Sequence, residues 1–264
     1  MKRTLVLWDI DGTLIVTRNA GSRAMEIAFE RHFGRRGDLS AVEWAGRTDT
    51  SLAPEILQRN GVDPTPGDCA AYLETYLAIL PGELAHGPQG RVLPGVEALL
   101  AHAAGDPRIA QGLLTGNLRR GAEHKLRHYR LWQHFPFGAF ADDSPQRDDL
   151  GAVALRRAAG HHGREFAAQE TVIIGDTPHD ITCARAFGAR VIAVATGRHS
   201  TAELAAHAPD AVFPDLADTT AVLRALEALF SASFPLDHRE PAEGGRASTT
   251  RSEEHTSELQ SRLH

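Results

Sequence analysis

The sequence lacks an excess of basic residues and any long run of them. Its 264 residues carry 28 Lys and Arg against 34 Asp and Glu, a formal net charge of -6, and Lys and Arg never follow one another for more than two positions. Proteins that bind nucleic acid usually present a basic face to the phosphate backbone. We therefore expect no nucleic-acid partner.

Cysteines and long apolar runs are also scarce. Cys69 and Cys183 have no metal-ligand spacing, so we interpret them as reduced thiols. The first apolar run stops at Asp9, too early for the core of a secretory signal, and no apolar stretch approaches the length of a membrane span. These absences predict a cytoplasmic protein with no membrane partner, and we expect a monomer or homodimer.

The C-terminal residues differ in composition from the rest. Residues 234–264 lose apolar periodicity and are rich in Ser, Thr, Glu and Arg, which predicts a disordered tail. The stretch RSEEHTSELQS resembles the translation of a sequencing-adapter oligonucleotide, so we expect the end of this tail to be non-native. The fold prediction therefore covers residues 1–233.

Six short apolar runs predict the strands of a parallel sheet. Most are continuous rather than alternating, as in strands that are buried on both faces. Helical patterns, with apolar residues three or four positions apart, separate them. The alternation predicts an α/β fold with a Rossmann-like, doubly wound parallel sheet. The runs lie at 4–9, 109–116, 137–141, 171–176, 190–197 and 210–215.

The alternation is interrupted between residues 17 and 91. This stretch shows only helical periods, such as Met25, Phe29 and Phe33 at steps of four, with Gly- and Pro-containing breaks between them. We interpret it as a small α-helical domain inserted after the first strand. The remaining segments, 1–16 and 92–233, would form the α/β core.

Two pairs of aspartates follow predicted strands. Asp9 and Asp11 end the first strand in LVLWDIDGTL, and residues two apart in extended chain point the same way. At the C-terminal edge of the sheet they would face the crevice where open α/β sheets bind ligands, with Gly12 permitting a tight turn. Asp176 and Asp180 follow a later strand in TVIIGDTPHD, although Asp180 alone is interpreted equally well as a helix N-cap.

These strand ends predict a site for a phosphoryl group. If the two strands are neighbours, repulsion among the carboxylates favours a bound cation, and Mg²⁺ suits a site of oxygen ligands shared with phosphate. A third strand end, LLTGN, offers the Thr115 hydroxyl beside Gly116 and Asn117, in a turn that would present backbone N–H groups to an anion.

The ordered set DIDGT, LLTGN and GDTPHD resembles the haloacid dehalogenase superfamily of phosphotransferases over residues 4–216. The helical insertion at 17–91 resembles the cap of that superfamily. GRTD (46–49) and LPGVEALL (93–100) resemble its members related to phosphoglycolate phosphatases. The resemblance implies a Mg²⁺-dependent phosphatase that hydrolyses a small phosphorylated metabolite through an aspartyl-phosphate intermediate.

The same resemblance implies roles for the acidic residues. Asp9 would be the nucleophile, and Asp11 would protonate the leaving oxygen and later deprotonate the attacking water. Mg²⁺ would bind the Asp9 carboxylate, the Asp11 backbone carbonyl and Asp176. Asp180 would help directly or through water.

The sequence departs from the superfamily at one position. A lysine usually precedes the helix before the last acidic motif, but this region has the sequence DDSPQRDDLGAVAL. Arg147 is therefore the best candidate for the cation beside the nucleophile, although an ordinary solvated charge is its alternative interpretation, and Lys125 is the fallback. Thr115, with Gly116 and Asn117, would hold phosphoryl oxygens.

Several alternatives stay open. A sugar-phosphate mutase of the same superfamily would share every core residue named above, and a non-catalytic protein that binds a phosphate ligand would fit the altered cation position. Dehalogenation is disfavoured because it requires neither a metal nor Asp11. Polar residues at the expected cleft face of the cap suit substrate recognition or, for Thr48 and Asp49, helix capping; they are Arg18, Asn19, Arg47, Thr48 and Asp49.

Overall fold

A six-stranded parallel sheet lies at the centre of the computed structural model, which describes residues 4–233. The predicted tail lies outside these residues. All six predicted strands are present, and a two-stranded antiparallel pair, β2–β3, was not predicted. The strands are β1 (Thr4–Trp8), β2 (Ile15–Val16), β3 (Arg91–Val92), β4 (Ile109–Leu114), β5 (Gly138–Ala139), β6 (Thr171–Gly175), β7 (Arg190–Val194) and β8 (Ala211–Phe213).

Nine α-helices accompany these strands within residues 4–233. The shortest, α8, has six residues, too few to show an apolar stripe in the sequence. None of the helices in this part of the chain is long and apolar enough to cross a membrane. They are α1 (Ala20–Phe33), α2 (Asp49–Arg59), α3 (Pro66–His86), α4 (Val96–Gly105), α5 (Arg119–His128), α6 (Leu150–His162), α7 (Pro178–Ala186), α8 (Thr201–Ala206) and α9 (Thr219–Ser233).

Helices cover both faces of the sheet, which confirms the predicted doubly wound α/β fold. Successive residues of β1 point to opposite faces, as the pleat of a strand requires. Val6 and Trp8 pack in a core cluster with residues of α4, α5 and α9. Leu5 and Leu7 pack in a second cluster with residues of α6, α7 and α8. The continuous apolar sequence of β1 follows from this burial on both sides.

The strand order β5-β4-β1-β6-β7-β8 places β1 between β4 and β6. After β1 the chain builds the sheet outward on one side through β4 and β5, and then on the other side from β6, so the direction reverses beside β1. Trp8 pairs with Leu113 of β4 and with Ile174 of β6. The residues that follow these three strands therefore meet at one edge, at the type of switch point where α/β sheets bind ligands.

The chain between β2 and β3 forms α1, α2 and α3, as the helical periods of this stretch predict. The buried residues of these helices form a third cluster, separate from the two clusters that flank the sheet. Ile15 pairs with Val92 and Val16 with Arg91, so the two ends of the helical segment lie side by side. The division into a core and a cap domain stays a prediction.

Candidate active site

A tight turn follows β1 and separates Asp9 from Asp11. The carbonyl of Ile10 accepts backbone hydrogen bonds from Leu14 at 2.9 Å and Ile15 at 3.1 Å. Gly12 has a φ of 84°, and a Cβ built there would lie 2.3 Å from Oδ2 of Asp176. Only glycine allows this close approach without strain. The turn therefore brings the backbone after β1 against the acidic loop after β6.

Three buried carboxylates meet at the ends of β1 and β6. Asp9, Asp176 and Asp180 each offer an oxygen within 4.8 Å of the other two. The backbone N–H of Asp9 donates to the carbonyl of Ile174 at 3.0 Å, which continues the β1–β6 pairing up to the cluster. Oxygen donors at this spacing could hold a divalent cation.

Arg147 supplies the positive charge of this acidic cluster. It lies in a 3-10 turn (Arg147–Asp149) before α6, and its Nη2 is 3.2 Å from Oδ1 of Asp9 and also contacts Oδ1 of Asp180. Its Nη1 donates to the carbonyl of Gly46 at 3.2 Å, and its buried Nε has no hydrogen-bond partner among residues 4–233. The structure thus places Arg147 beside the predicted nucleophile and not in solvent.

The charges of this cluster do not balance. Burial raises the pKa of Asp9 to about 6, against the opposing effect of Arg147. Burial and the charge of Asp9 raise the pKa of Asp176 well above its ordinary value. Burial lowers the pKa of Arg147, but Asp180 and Asp9 together raise it above its usual range. When all three carboxylates are ionised, one guanidinium leaves net negative charge; this repulsion contributes to the raised pKa values, and a bound cation would neutralise it.

Asp180 is the most fully bonded member of the cluster. Its Oδ2 accepts hydrogen bonds from the backbone N–H of Thr177 at 3.0 Å and from the Thr177 hydroxyl at 2.8 Å, while Arg147 holds Oδ1. Thr177 is the N-cap of α7 and Asp180 lies in its first turn, so the interpretation of Asp180 as the N-cap itself is wrong. Its carboxylate accepts from the N–H of the N-cap residue, which adds a helix-capping contact to its place in the cluster.

Asp11 faces a different set of partners. Its Oδ2 is 2.6 Å from Nζ of Lys125 and accepts a hydrogen bond from Nδ2 of Asn117 at 2.9 Å. Lys125 Nζ also donates to Oδ1 of Asn117 at 2.6 Å, and Asn117 Nδ2 donates to Oγ1 of Thr115 at 2.8 Å. Of the two predicted cations, Arg147 therefore pairs with Asp9, whereas Lys125 pairs with Asp11.

The predicted phosphate loop after β4 is closely packed. Thr115 is fully buried, and its backbone N–H continues the sheet by donating to Ala139 at 3.1 Å. A Cβ built on Gly116 would lie 2.1 Å from the carbonyl oxygen of Arg47, so only glycine fits there. Gly116 and Asn117 line the cleft, whereas the buried Thr115 hydroxyl accepts from Nδ2 of Asn117, and its contact with a phosphoryl oxygen stays a prediction.

Residues 48–50 attach the start of α2 to loops of the α/β core. The backbone N–H of Asp49 donates to Gly116 at 2.7 Å, and its carboxylate accepts from the N–H of Leu118 at 2.8 Å. Thr48 caps α2 by accepting from the N–H of Ser51 at 3.1 Å, which was one of the interpretations left open for it, and donates to the carbonyl of Pro145 at 2.7 Å. The core loops are thereby tied to the inserted helices.

The carboxylate of Asp49 is buried in this contact. Burial raises its pKa to about 6, while the positive charge of Lys125 acts in the opposite direction. Arg47, two positions earlier, forms an ion pair with Glu55, which also pairs with Arg59, so one carboxylate is shared by two guanidinium groups.

The cleft above these groups has a volume of about 330 Å³ and is lined by both the core and the helical segment. Arg18 and Asn19, which both have positive φ, lie in its wall. Sequence reasoning missed many of the lining residues, and four of these show why. Three of the four follow β7 at the same edge of the sheet, where the rule that ligands bind at strand ends predicts lining residues. The fourth lies on α3, where its apolar spacing is that of an ordinary core residue. The four are Tyr76, Thr196, Gly197 and Arg198.

The sequence model of the haloacid dehalogenase-like hydrolases matches residues 6–185. The chain is similar to a provisionally named pyrophosphatase, PpaX, of Caldanaerobacter subterraneus subsp. tengcongensis, with 27% identity over 200 residues that cover 74% of this chain and 82% of that protein. It is also similar to a phosphoglycolate phosphatase of Pseudomonas fluorescens, with 24% identity over 221 residues, covering 80% and 76% of the two chains.

A solved structure shows the same fold. CbbY from Rhodobacter sphaeroides, crystallised in complex with phosphate, superposes with a TM-score of 0.65 at 22% identity. The alignment covers 83% of this chain and 96% of that chain. At this level of identity the likeness extends to the architecture, and the chemistry has to be argued from the residues of the cleft.

Proposed function

The chain belongs to the haloacid dehalogenase-like hydrolase family, and from this premise we propose that it is a Mg²⁺-dependent phosphatase of small phosphorylated metabolites. One observation carries the proposal. Asp9 lies in a buried carboxylate cluster at the floor of the cleft, while Asp11, two residues later, faces Lys125 outside that cluster. Two aspartates in unlike surroundings suit two unlike catalytic roles.

Asp9 is the nucleophile in this proposal. Its carboxylate attacks phosphorus in line with the leaving oxygen and forms an aspartyl-phosphate. The guanidinium of Arg147, 3.2 Å from Oδ1 of Asp9, supports this role because it favours the charged carboxylate and can also attract phosphoryl oxygens. Gly116 and Asn117 line the same cleft and would contact the phosphoryl group. Thr115 accepts a hydrogen bond from Asn117 and would hold that side chain in place.

Asp11 is the proton carrier. It donates a proton to the leaving oxygen and then removes a proton from the water that hydrolyses the aspartyl-phosphate. Its side chain is 40% exposed, so it can reach both a substrate and water in the cleft.

The donor set fits Mg²⁺. Asp9 and Asp176 would hold the ion with the backbone carbonyl of Asp11, and Asp180, whose oxygens are already bonded, would orient Arg147 and support the site from outside. When bound, Mg²⁺ supplies charge neutralisation for the phosphoryl oxygens and the attacking carboxylate.

The size of the cleft supports a small substrate. Helices α1 to α3 line one side of its roughly 330 Å³ volume, which leaves little room for a macromolecule. The named relatives act, by their names, on pyrophosphate and phosphoglycolate. We therefore place these two compounds, with sugar phosphates, in the first panel to be tested.

The experiment is a phosphate-release assay on that panel, with Mg²⁺ and with excess chelator. We expect Mg²⁺-dependent release of inorganic phosphate from at least one small phosphate ester. Isomerised sugar phosphate without phosphate release, detected by ³¹P NMR, would instead identify a mutase. Binding of phosphate ligands without any turnover would make the chain a non-catalytic binding protein.

A further inference from the structure

Lys125 is a buried lysine whose position the proposed chemistry does not explain. Its side chain is only 6% exposed, and its Nζ contacts Oδ2 of Asp11 and Oδ1 of Asn117, both at 2.6 Å. Burying a lysine is unfavourable unless its charge is well partnered. The ammonium group of Lys125 therefore needs a partner close by, and it forms an ion pair with Asp11.

Both donors around Asp11 hold the same oxygen. Lys125 Nζ and Asn117 Nδ2 contact Oδ2, at 2.6 and 2.9 Å. A protonated carboxyl group carries its proton on one oxygen and accepts hydrogen bonds at the other. With Oδ2 occupied as an acceptor, the proton of the neutral acid has its place on Oδ1.

We propose that Lys125 is a positioning residue that fixes the orientation of Asp11, so that the proton is carried on Oδ1 and delivered from it. The inference rests on the proposed function, because it explains how Asp11, the proton carrier of that reaction, is held in place. Asn117 takes part in the same arrangement, since it is held between Lys125 and Thr115.

The proton balance is simple. As the bond from Asp9 to phosphorus forms, the bond from phosphorus to the leaving oxygen breaks and its electron pair stays on that oxygen. The proton on Oδ1 of Asp11 moves to the same oxygen. When water attacks the aspartyl-phosphate, its proton returns to Asp11, and Asp9 and inorganic phosphate are released. Lys125 keeps its own protons throughout.

The test compares two leaving groups in the Lys125→Met variant. The p-nitrophenolate group of p-nitrophenyl phosphate leaves without a proton, whereas the alkoxide of 2-phosphoglycolate, or of the best alkyl phosphate in the panel, needs one. Removing a general acid slows a reaction by about 10²–10⁴-fold, so loss of its positioning should slow alkyl phosphate turnover by about 10–100-fold. We expect the single-turnover burst of p-nitrophenolate, which reports formation of the aspartyl-phosphate before Asp11 acts as a base, to slow by less than about threefold.

The ratio of the two rates does not depend on partial unfolding, because an unfolded fraction lowers both rates equally. Arg127→Met is the matched control, since Arg127 lies on the same helix in an exposed ion pair with Glu123. Mg²⁺ binding by calorimetry should be the same in Lys125→Met and wild type. In an Asp11→Asn background, adding Lys125→Met should change alkyl phosphate turnover by less than about twofold, because the two residues act through one proton.

Each other result has a definite meaning. Equal losses on both substrates, or no loss on the alkyl phosphate, would overturn the positioning role while leaving the phosphatase proposal intact. A wild-type protein that hydrolyses neither substrate would overturn the proposed function and this inference with it.

Discussion

Asp9 and Asp11 are two residues apart, and each is paired with a buried cation, yet their surroundings differ. The Asp9 side chain is 7% exposed and shares Arg147 with Asp180. The Asp11 side chain is 40% exposed and meets Lys125 at the rim of the cleft. The expectation that the two side chains point the same way is therefore wrong, because β1 ends at Trp8 and the chain turns at Ile10, between the two aspartates.

This difference predicts unequal consequences for similar changes. An ion pair cut off from water leaves an uncompensated charge when one partner is removed, which costs several kcal/mol. Where water can reach the remaining partner, the loss is much smaller. Loss of the cation on the Asp9 side should therefore reduce both activity and stability, whereas loss of the cation on the Asp11 side should mainly reduce activity.

The largest expected effect is on the Asp9 side. Asp9→Asn keeps the shape of the side chain but removes the attacking carboxylate, so turnover in the phosphate-release assay should fall by about 10⁴-fold or more. The fold should survive, because the change removes a buried negative charge, and circular dichroism with a thermal melt is the check. Retained turnover would contradict the assignment of Asp9 as nucleophile.

Arg147→Met should produce the largest loss of stability. It leaves Asp9 and Asp180 without their cation, and we expect the free energy of unfolding in urea at pH 7.5 to fall by about 3–5 kcal/mol without metal. Excess Mg²⁺ should restore part of this loss. The matched control is Arg120→Met, which breaks the exposed pair with Glu74 and should cost less than about 1 kcal/mol. A loss no larger than that of the control would refute the comparison.

Asp49 is buried but has no ion pair within 4 Å among the described residues. It therefore shows how burial without an ion pair affects the free energy of unfolding. Its pKa of about 6 exceeds its ordinary value of 3.8, so the folded protein holds this proton more tightly than the unfolded chain. The free energy of unfolding should therefore decrease as the pH rises from about 4 to 6, by up to about 3 kcal/mol from this group.

Asp49→Asn removes that pH-dependent loss while it keeps an oxygen that can accept from Leu118. Relative to wild type, the variant should gain up to about 3 kcal/mol between pH 4 and pH 7. Urea unfolding at both pH values measures the gain. Parallel curves for the two proteins would show that Asp49 does not titrate in this range.

The smallest expected effect is the stability change in Lys125→Met. Since water reaches Asp11, we expect a loss of about 1–2 kcal/mol in urea unfolding, clearly below that of Arg147→Met. A loss of activity on alkyl phosphates could then not be explained by unfolding of the variant. Equal destabilisation by the two variants would show that exposure of the partner carboxylate does not decide the cost.

The sheet and the acidic cluster could be predicted because both follow from local patterns. Apolar runs marked the six strands, and the aspartates at the ends of β1 and β6 meet because these strands are neighbours. Arg147 was identified differently, through the resemblance to the haloacid dehalogenase superfamily, which implies a cation before α6.

Other features depend on packing between distant segments and left no such pattern. Lys125 reaches Asp11 only because of how α5 lies against the turn after β1. The contacts of Asp49 join residues far apart in the chain, and the two-residue strands β2 and β3 are too short to show periodicity. Tyr76 carries an ordinary apolar spacing, so nothing in the sequence separates it from the core of α3.

The β2–β3 pair has a consequence for how such proteins diversify. Because Val16 and Arg91 are paired partners, the chain enters the helical segment and leaves it at one point. A segment inserted at such a point can change in length or shape without altering the order of the parallel strands. Exchange of residues 17–90 for the corresponding segment of a relative is thus a practical route to hybrid enzymes, provided that the new segment supplies its own version of the Asp49 contact.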